Sequence, residues 1–202
     1  MRAESGLQQA KSARARESIC AATIRMLARY GYAETTISGV AALAEVSKGA
    51  VQYHFPSKED LIAATVDTLL IRTIEGVKRP ASVEDALMGA WQKFINTSAY
   101  RALLEVLNAA RTDGALRARI ADELYQWGQR LDDQSRSHYR ATSGNDQDAV
   151  MLMNMTRSFM RGLLIQEQYG ISQETILDYV KKWVELIAPQ LELRDAALDT
   201  KS

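Results

Sequence analysis

Proline occurs only three times in the 202 residues, at positions 56, 80 and 189. Inside a helix, proline costs about 3 kcal/mol because it removes a backbone donor and its ring strikes the preceding turn. The stretches between these positions are free to run as long helices, and each proline falls where an apolar helical period breaks off or restarts. No segment shows sustained alternation of β-branched residues between turn signals. The chain is predicted to be all-α, with about nine helices.

In the first helix, roughly 12 to 30, Ile19, Ala22, Met26, Leu27 and Tyr30 recur at helical spacing. Arg16, Arg25 and Arg29 lie off that stripe, and Gly31 supplies a stop. Thr36 can cap a short second helix carrying Ile37, Val40, Ala41 and Ala44. Ser47 can cap a third, which ends before Pro56 because a residue preceding proline is pushed out of the α region. Ser57 then caps a fourth whose first turn places Glu59 and Asp60 at the positive end of the helix dipole. That helix continues through Leu61, Ile62, Thr65, Val66, Leu69 and Leu70. Beyond Pro80, Ser82 caps a helix with Leu87, Trp91 and Phe94; a second contains Leu103, Leu104 and Leu107, and a third spans about 113 to 140. The polar run SGNDQD at 143–148 reads as a loop. Two further helices, roughly 146–168 and 172–188, are separated by Gly170, the second capped by Ser172.

Net charge is zero, but its distribution is uneven: residues 1–58 hold eight basic and four acidic side chains, and the remainder carries the compensating excess of acid. A basic head on an acidic body is what a chain shows when only its N-terminal part meets phosphate. Cys20 is the only cysteine, which excludes an intrachain disulfide and a cysteine-based metal site and fits a reducing cytoplasm. No apolar run reaches signal-peptide or membrane-span length, so a cytoplasmic protein without a membrane partner is expected. His54 and His138 have no zinc-ligand spacing, and no phosphate loop or GxSxG elbow is present. The expectation is a non-enzyme without metal or other cofactor.

Two short helices joined by Ala44-Glu45-Val46-Ser47 form a helix-turn-helix arrangement with the first helix behind them. Such a unit lays its second helix in the major groove, N-terminal residues at the base edges. That places Ser47, Lys48 and Gln52 at DNA. Lys48 and Gln52 are four apart and share a face; lysine can donate to guanine O6/N7 and glutamine can pair with adenine N6/N7.

These residues carry a resemblance. Thr36-Ile37-Ser38-Gly39-Val40-Ala41, Val46-Ser47-Lys48-Gly49-Ala50-Val51 and Tyr53-His54-Phe55-Pro56-Ser57-Lys58-Glu59-Asp60-Leu61 together resemble the DNA-binding domain of the TetR family of transcriptional regulators. The resemblance implies that Tyr53, His54 and Lys58 contact phosphate, that Phe55 packs into a small three-helix core, and that Gly49 admits close approach to the groove. With Thr36 these make a DNA-facing set of Thr36, Ser47, Lys48, Gly49, Gln52, Tyr53, His54 and Lys58. Two positions depart from the family's pattern: Glu45 stands where glycine is usual in the turn, and Gln52 where tyrosine is frequent.

The expected organisation is a DNA-binding domain over 1–56, including an N-terminal tail, and a helical ligand-binding and dimerisation domain over 57–202, the fourth helix connecting them. In the body, Trp91, Phe94, Trp127, Met155 and Phe159 are read either as ordinary core or as the lining of an adaptable apolar pocket. The helix at 146–168 is apolar around much of its circumference, and with 172–188 it is the candidate half of an intersubunit four-helix bundle. Taken together, these features describe a homodimer on a pseudo-palindromic operator, released by a small, at least partly apolar effector. Repression follows from the resemblance alone. The competing class is a helical apolar-ligand carrier or enzyme that does not bind DNA.

Overall fold

The computed structural model describes residues 2–74 and 80–194. Nine α-helices are present among them: α1 Arg2–Glu34, α2 Ile37–Leu43, α3 Lys48–His54, α4 Lys58–Ile74, α5 Val83–Ala90, α6 Ser98–Ala110, α7 Gly114–His138, α8 Asp146–Glu167 and α9 Gln173–Ile187. The architecture is all-α, an N-terminal helix-turn-helix domain followed by a larger helical domain. By internal packing the chain divides into two compact units, residues 1–75 with 98–124 and residues 76–97 with 125–202.

The first unit begins with α1, α2 and α3 around a small apolar core of Ile19, Cys20, Ala22, Val40, Ala41, Ala44, Val51, Phe55 and Leu61. Three serine or threonine caps set the local starts. Thr36 Oγ1 accepts from the Gly39 amide at 3.1 Å, Ser47 Oγ from Ala50 at 3.0 Å and Ser57 Oγ from Asp60 at 3.0 Å. Each satisfies one of the amide donors that a helix start leaves without an intrahelical partner. The first helix starts at Arg2 rather than near residue 12, so the expected N-terminal tail is helical. Gly31 interrupts α1 with φ 76° and ψ 177°, the stop expected of it.

The turn between α2 and α3 is a Schellman motif. Val46 N–H donates to Ala41 C=O at 3.0 Å and Glu45 N–H to Ala42 C=O at 3.3 Å, while Glu45 takes φ 57°. This is the left-handed position at which glycine is preferred because it has no Cβ to clash. Val46, just beyond it, packs against the head core and anchors the turn.

The same unit contains α4, α6 and the first part of α7. Leu61, Ile62, Thr65, Val66, Leu69 and Leu70 of α4 are all buried, as their spacing predicts. α6 lies along α1, burying Ala102, Leu103 and Val106.

In the second unit α5 runs into a five-residue π-helical turn, Trp91–Ile95, closed by the Asn96 amide on the Trp91 carbonyl at 2.8 Å. α8 packs on α9, and α5 also packs on α9. Their buried side chains include Leu87, Trp91, Met153, Met160, Leu163, Ile176, Val180 and Val184. One small non-helical element accompanies the helices: α7 ends at His138 rather than near 140, and Tyr139–Ala141 (β1) pairs antiparallel with Leu191–Leu193 (β2), Tyr139 opposite Leu193. Strands of three residues are too short for period-2 alternation to register in the sequence.

The left-handed Glu45 supplies a test. A non-glycine residue there costs about 1–2 kcal/mol, and glycine's greater backbone entropy loss offsets about 0.5–1 kcal/mol of any relief. Glu45→Gly is expected to raise the unfolding free energy by up to ~1 kcal/mol in a urea titration. A loss of stability instead would mean that Glu45 makes compensating interactions.

Candidate nucleic-acid interface

α3 is seven residues long, and burial divides it into two faces. Val51 is fully buried, and Phe55, one residue beyond the helix, is 2% exposed. Lys48, Gly49 and Gln52 are exposed, and Tyr53 is 83% exposed. Lys48 and Gln52 stand one turn apart on the outward side, as their spacing predicts. Ser47 and Thr36 are exposed at the starts of α3 and α2, each with its side-chain oxygen accepting a cap hydrogen bond. A hydroxyl so used still has its proton to donate to phosphate.

His54 is half-buried, its ring edge-on to Tyr53 with centroids 5.2 Å apart. Its carbonyl accepts a hydrogen bond from Arg16 Nη1 at 3.2 Å, and the Arg16 guanidinium lies 4.6 Å from the centroid of the Phe55 ring. Arg16 thus places a positive charge at the C-terminal, negative end of α3 while covering the ring that anchors it. Its partner lies 38 residues away, so only its position off the apolar stripe marks it in the sequence.

Lys58 occupies a different environment from the other seven residues. It is half-buried, Nζ donates to the Tyr32 carbonyl at 2.7 Å, and the ammonium sits 4.1 Å from the Tyr32 ring centroid. Burial lowers the Lys58 pKa below the usual lysine value, opposed by the charges of Glu59, Asp113 and Glu34. The Tyr32 hydroxyl donates to Asp113 Oδ2 at 3.2 Å. Burial, then the Asp113 charge, pushes the Tyr32 phenol up to about 12. Asp113 is held below the usual carboxylate range, chiefly by the Leu116 amide that it caps at 2.9 Å. Sequence pattern assigns no role to Tyr32 or Asp113, which are 81 residues apart.

The five pocket candidates occupy different settings in the second unit. Trp91 is buried in the core, Phe94 is half-buried on the π-helical turn, and Trp127 is half-buried on α7. Met155 is 48% exposed on α8. Phe159 stacks on Trp183 with centroids 4.5 Å apart and planes 18° apart, and it lines an open groove with Leu163, Gln166, Tyr179, Lys182, Trp183 and Leu186. None of the other four candidates lines that groove. Among the described residues no three His, Cys, Asp or Glu side chains group as metal ligands, and no helix is long and apolar enough to cross a membrane.

The family model described as bacterial regulatory proteins, tetR family, matches residues 19–65, the stretch that contains the head core, both short helices and the start of α4. The helix-turn-helix region of the chain is of the TetR type. Two relatives in Pseudomonas putida, the probable HTH-type transcriptional regulator ArpR and the HTH-type transcriptional regulator TtgR, are each 32% identical over 120 residues. Those matches cover 58% of this chain and 52% of each relative, so the matched stretch spans about half the length of these proteins. The likeness of fold extends further than the sequence match. A TetR transcription regulator from Haloarcula marismortui superposes with a TM-score of 0.66 at 22% identity, covering 90% of this chain and 100% of the other.

The two-faced α3 of this TetR head separates stability from recognition. Phe55→Ala is expected to cost about 3–5 kcal/mol of unfolding free energy, the range for removing a buried aromatic ring. Tyr53→Ala should change stability by no more than about 0.5 kcal/mol. Chemical denaturation of both variants checks this, and equal losses would contradict the division of faces.

Proposed function

We propose that this chain is a homodimeric transcriptional regulator of the TetR family that binds a pseudo-palindromic operator and is released from it, as a repressor, by a small molecule held in its helical body. The observation that carries the reading is α3. Its inward side chains, Val51 and Phe55, belong to the head core, while Lys48, Gly49, Gln52 and Tyr53 face outward, with Thr36 and Ser47 exposed at the neighbouring helix starts. A short buried helix presenting polar and basic side chains outward is what major-groove reading requires. In this reading residues 1–56 recognise DNA, residues 57–202 bind the effector and dimerise, and the protein acts in the cytoplasm without catalysing a reaction. The curated relatives are named as regulators, which supports a non-enzymatic role.

Dimerisation through α8 and α9 is supported by their outward surface. Met151, Met155 and Ile165 of α8 and Tyr179 and Leu186 of α9 are exposed, while Met153, Met160, Leu163 and Leu164 face the core. Met151, Met155 and Phe159 recur at a spacing of four and form one stripe; Tyr179, Trp183 and Leu186 form another. Two such helices from each copy would complete a four-helix bundle. Half-sites on one DNA face lie about 34 Å apart, so an effector need only bias the dimer between matched and mismatched spacings. A tenfold change in operator affinity requires ~1.4 kcal/mol of differential effector binding. Trp91, Phe94 and Trp127 are proposed as effector contacts; Met155 and Phe159, candidates for the same role, sit better in the dimer seam.

A salt titration against duplexes tiled from the DNA flanking the protein's own gene tests the regulator reading. One duplex should bind selectively, with log affinity falling steeply against log salt. A carrier or enzyme would bind all of them equally or not at all. On the selected duplex, Gln52→Ala should relax preference at one base pair by about 1–3 kcal/mol. Full retention of that preference would make Gln52 a bystander. Met155→Lys combined with Leu186→Glu should convert the dimer to a folded monomer in sedimentation velocity, whereas an unchanged dimer would place the seam elsewhere.

A further inference from the structure

We propose that Tyr32 and Asp113 are positioning residues for operator binding that act through Lys58, and that Lys58 serves as an intramolecular clasp rather than as a phosphate ligand. The inference rests on the regulator reading above and concerns how the recognition helix is held.

The geometry is a series of links. Asp113 caps the start of α7 through the Leu116 amide at 2.9 Å and accepts from the Tyr32 hydroxyl through its other oxygen at 3.2 Å. The Tyr32 carbonyl, just past the break in α1 at Gly31, accepts from Lys58 Nζ at 2.7 Å and from the Thr35 amide at 3.3 Å. The Lys58 ammonium also lies against the Tyr32 ring at 4.1 Å, so one residue supplies the cation with both an acceptor and an aromatic face. Lys58 is the first residue of α4, and only Phe55, Pro56 and Ser57 separate it from the end of α3.

A second link runs beside the first. Arg119 of α7 pairs with Asp60 at 2.7 Å, and Asp60 in turn accepts from Ser57 Oγ at 2.7 Å while its own amide donates back to that oxygen. The start of α7 is therefore linked to the first turn of α4 twice, indirectly through Tyr32 of α1 and its carbonyl and directly through the Arg119–Asp60 pair. The connection from α3 to α4 is three residues long, so whatever fixes Lys58 also limits the tilt of the reading helix.

A phosphate ligand and a clasp behave differently. A lysine that neutralises a phosphate releases counterion, and its removal lowers the salt slope by ~1. An ammonium bound to a carbonyl and a ring within the protein contributes through geometry, so its removal weakens binding without changing the slope. Links in series also fail together: once one is cut, cutting the next adds little.

The experiment measures affinity against salt for the wild type, Lys58→Met, Tyr32→Phe and the double variant, on the duplex that the wild type selects. Lys58→Met and Tyr32→Phe are each expected to weaken binding roughly three- to tenfold, the range that one hydrogen bond commands, with unchanged slope. The double variant should be no weaker than Lys58→Met. A slope lowered by ~1 in Lys58→Met, multiplied losses in the double variant, or wild-type affinity in Tyr32→Phe would each overturn the proposal. Native-state hydrogen exchange provides an arm that needs no DNA. Tyr32→Phe should speed exchange at the amides of 55–61, leaving α2 unchanged, and equal rates at 55–61 would likewise overturn the clasp. Should the wild type select no duplex, the regulator reading falls and the exchange arm alone decides the clasp.

Discussion

The burial of Val51 and Phe55 is the contact on which the proposed function depends. A helix of seven residues has no independent stability, because nucleation is unfavourable and only a few hydrogen bonds follow it. α3 exists because these two side chains enter a core built by α1, α2 and the first turn of α4. That core also determines which residues remain outside. With Val51 inward, Gln52 and Tyr53 turn away from the core at successive steps of about 100°, and Lys48, the first residue of the helix, is exposed in its open first turn. The outward-facing chemistry of α3 is thus a by-product of how the helix is anchored, and Arg16 reinforces the anchor by covering Phe55 from α1.

How much is legible in the sequence follows the distance between interacting residues. The capping residues Thr36, Ser47, Ser57, Ser82 and Ser172 all act within three residues of themselves, and each one starts the helix expected of it. That Lys48 and Gln52 share a face is readable for the same reason, being a matter of a spacing of four. Lys58 is legible as a charged residue at a helix start, but its hydrogen bond to the Tyr32 carbonyl, 26 residues away, is not. The β1–β2 pair joins segments about 50 residues apart and is only three residues long, so neither pattern nor proximity announces it. The Met and aromatic residues of α8 are legible as apolar, but which of them face inward depends on where α9 lies: Met153 and Met160 are buried, and Met151 and Met155 are not.

The two departures from the family pattern resolve differently. Glu45 adopts the left-handed conformation that glycine would adopt, and the turn keeps both Schellman hydrogen bonds. The backbone demand of the motif therefore overrides the side chain's preference. Gln52 meets no such demand: it is exposed on a helix whose packing is complete without it. A position released from packing in this way is free to vary without cost to the head core, whereas Val51, beside it, is not.

The small β1–β2 pair has a consequence for assembly. It ties the segment before α8 to the segment after α9, with Arg140 paired to Glu192 across the strands and Arg194 Nε donating to the Tyr139 carbonyl at 3.1 Å. The α8–α9 hairpin is thereby closed into a ring, and one helix cannot slide along the other without breaking the strand pair. The stripe of Met151, Met155 and Phe159 keeps a fixed register against Tyr179, Trp183 and Leu186. In the proposed dimer a second copy would meet a surface whose register is already fixed, and association would pay little of the ordering entropy that a loose hairpin would demand.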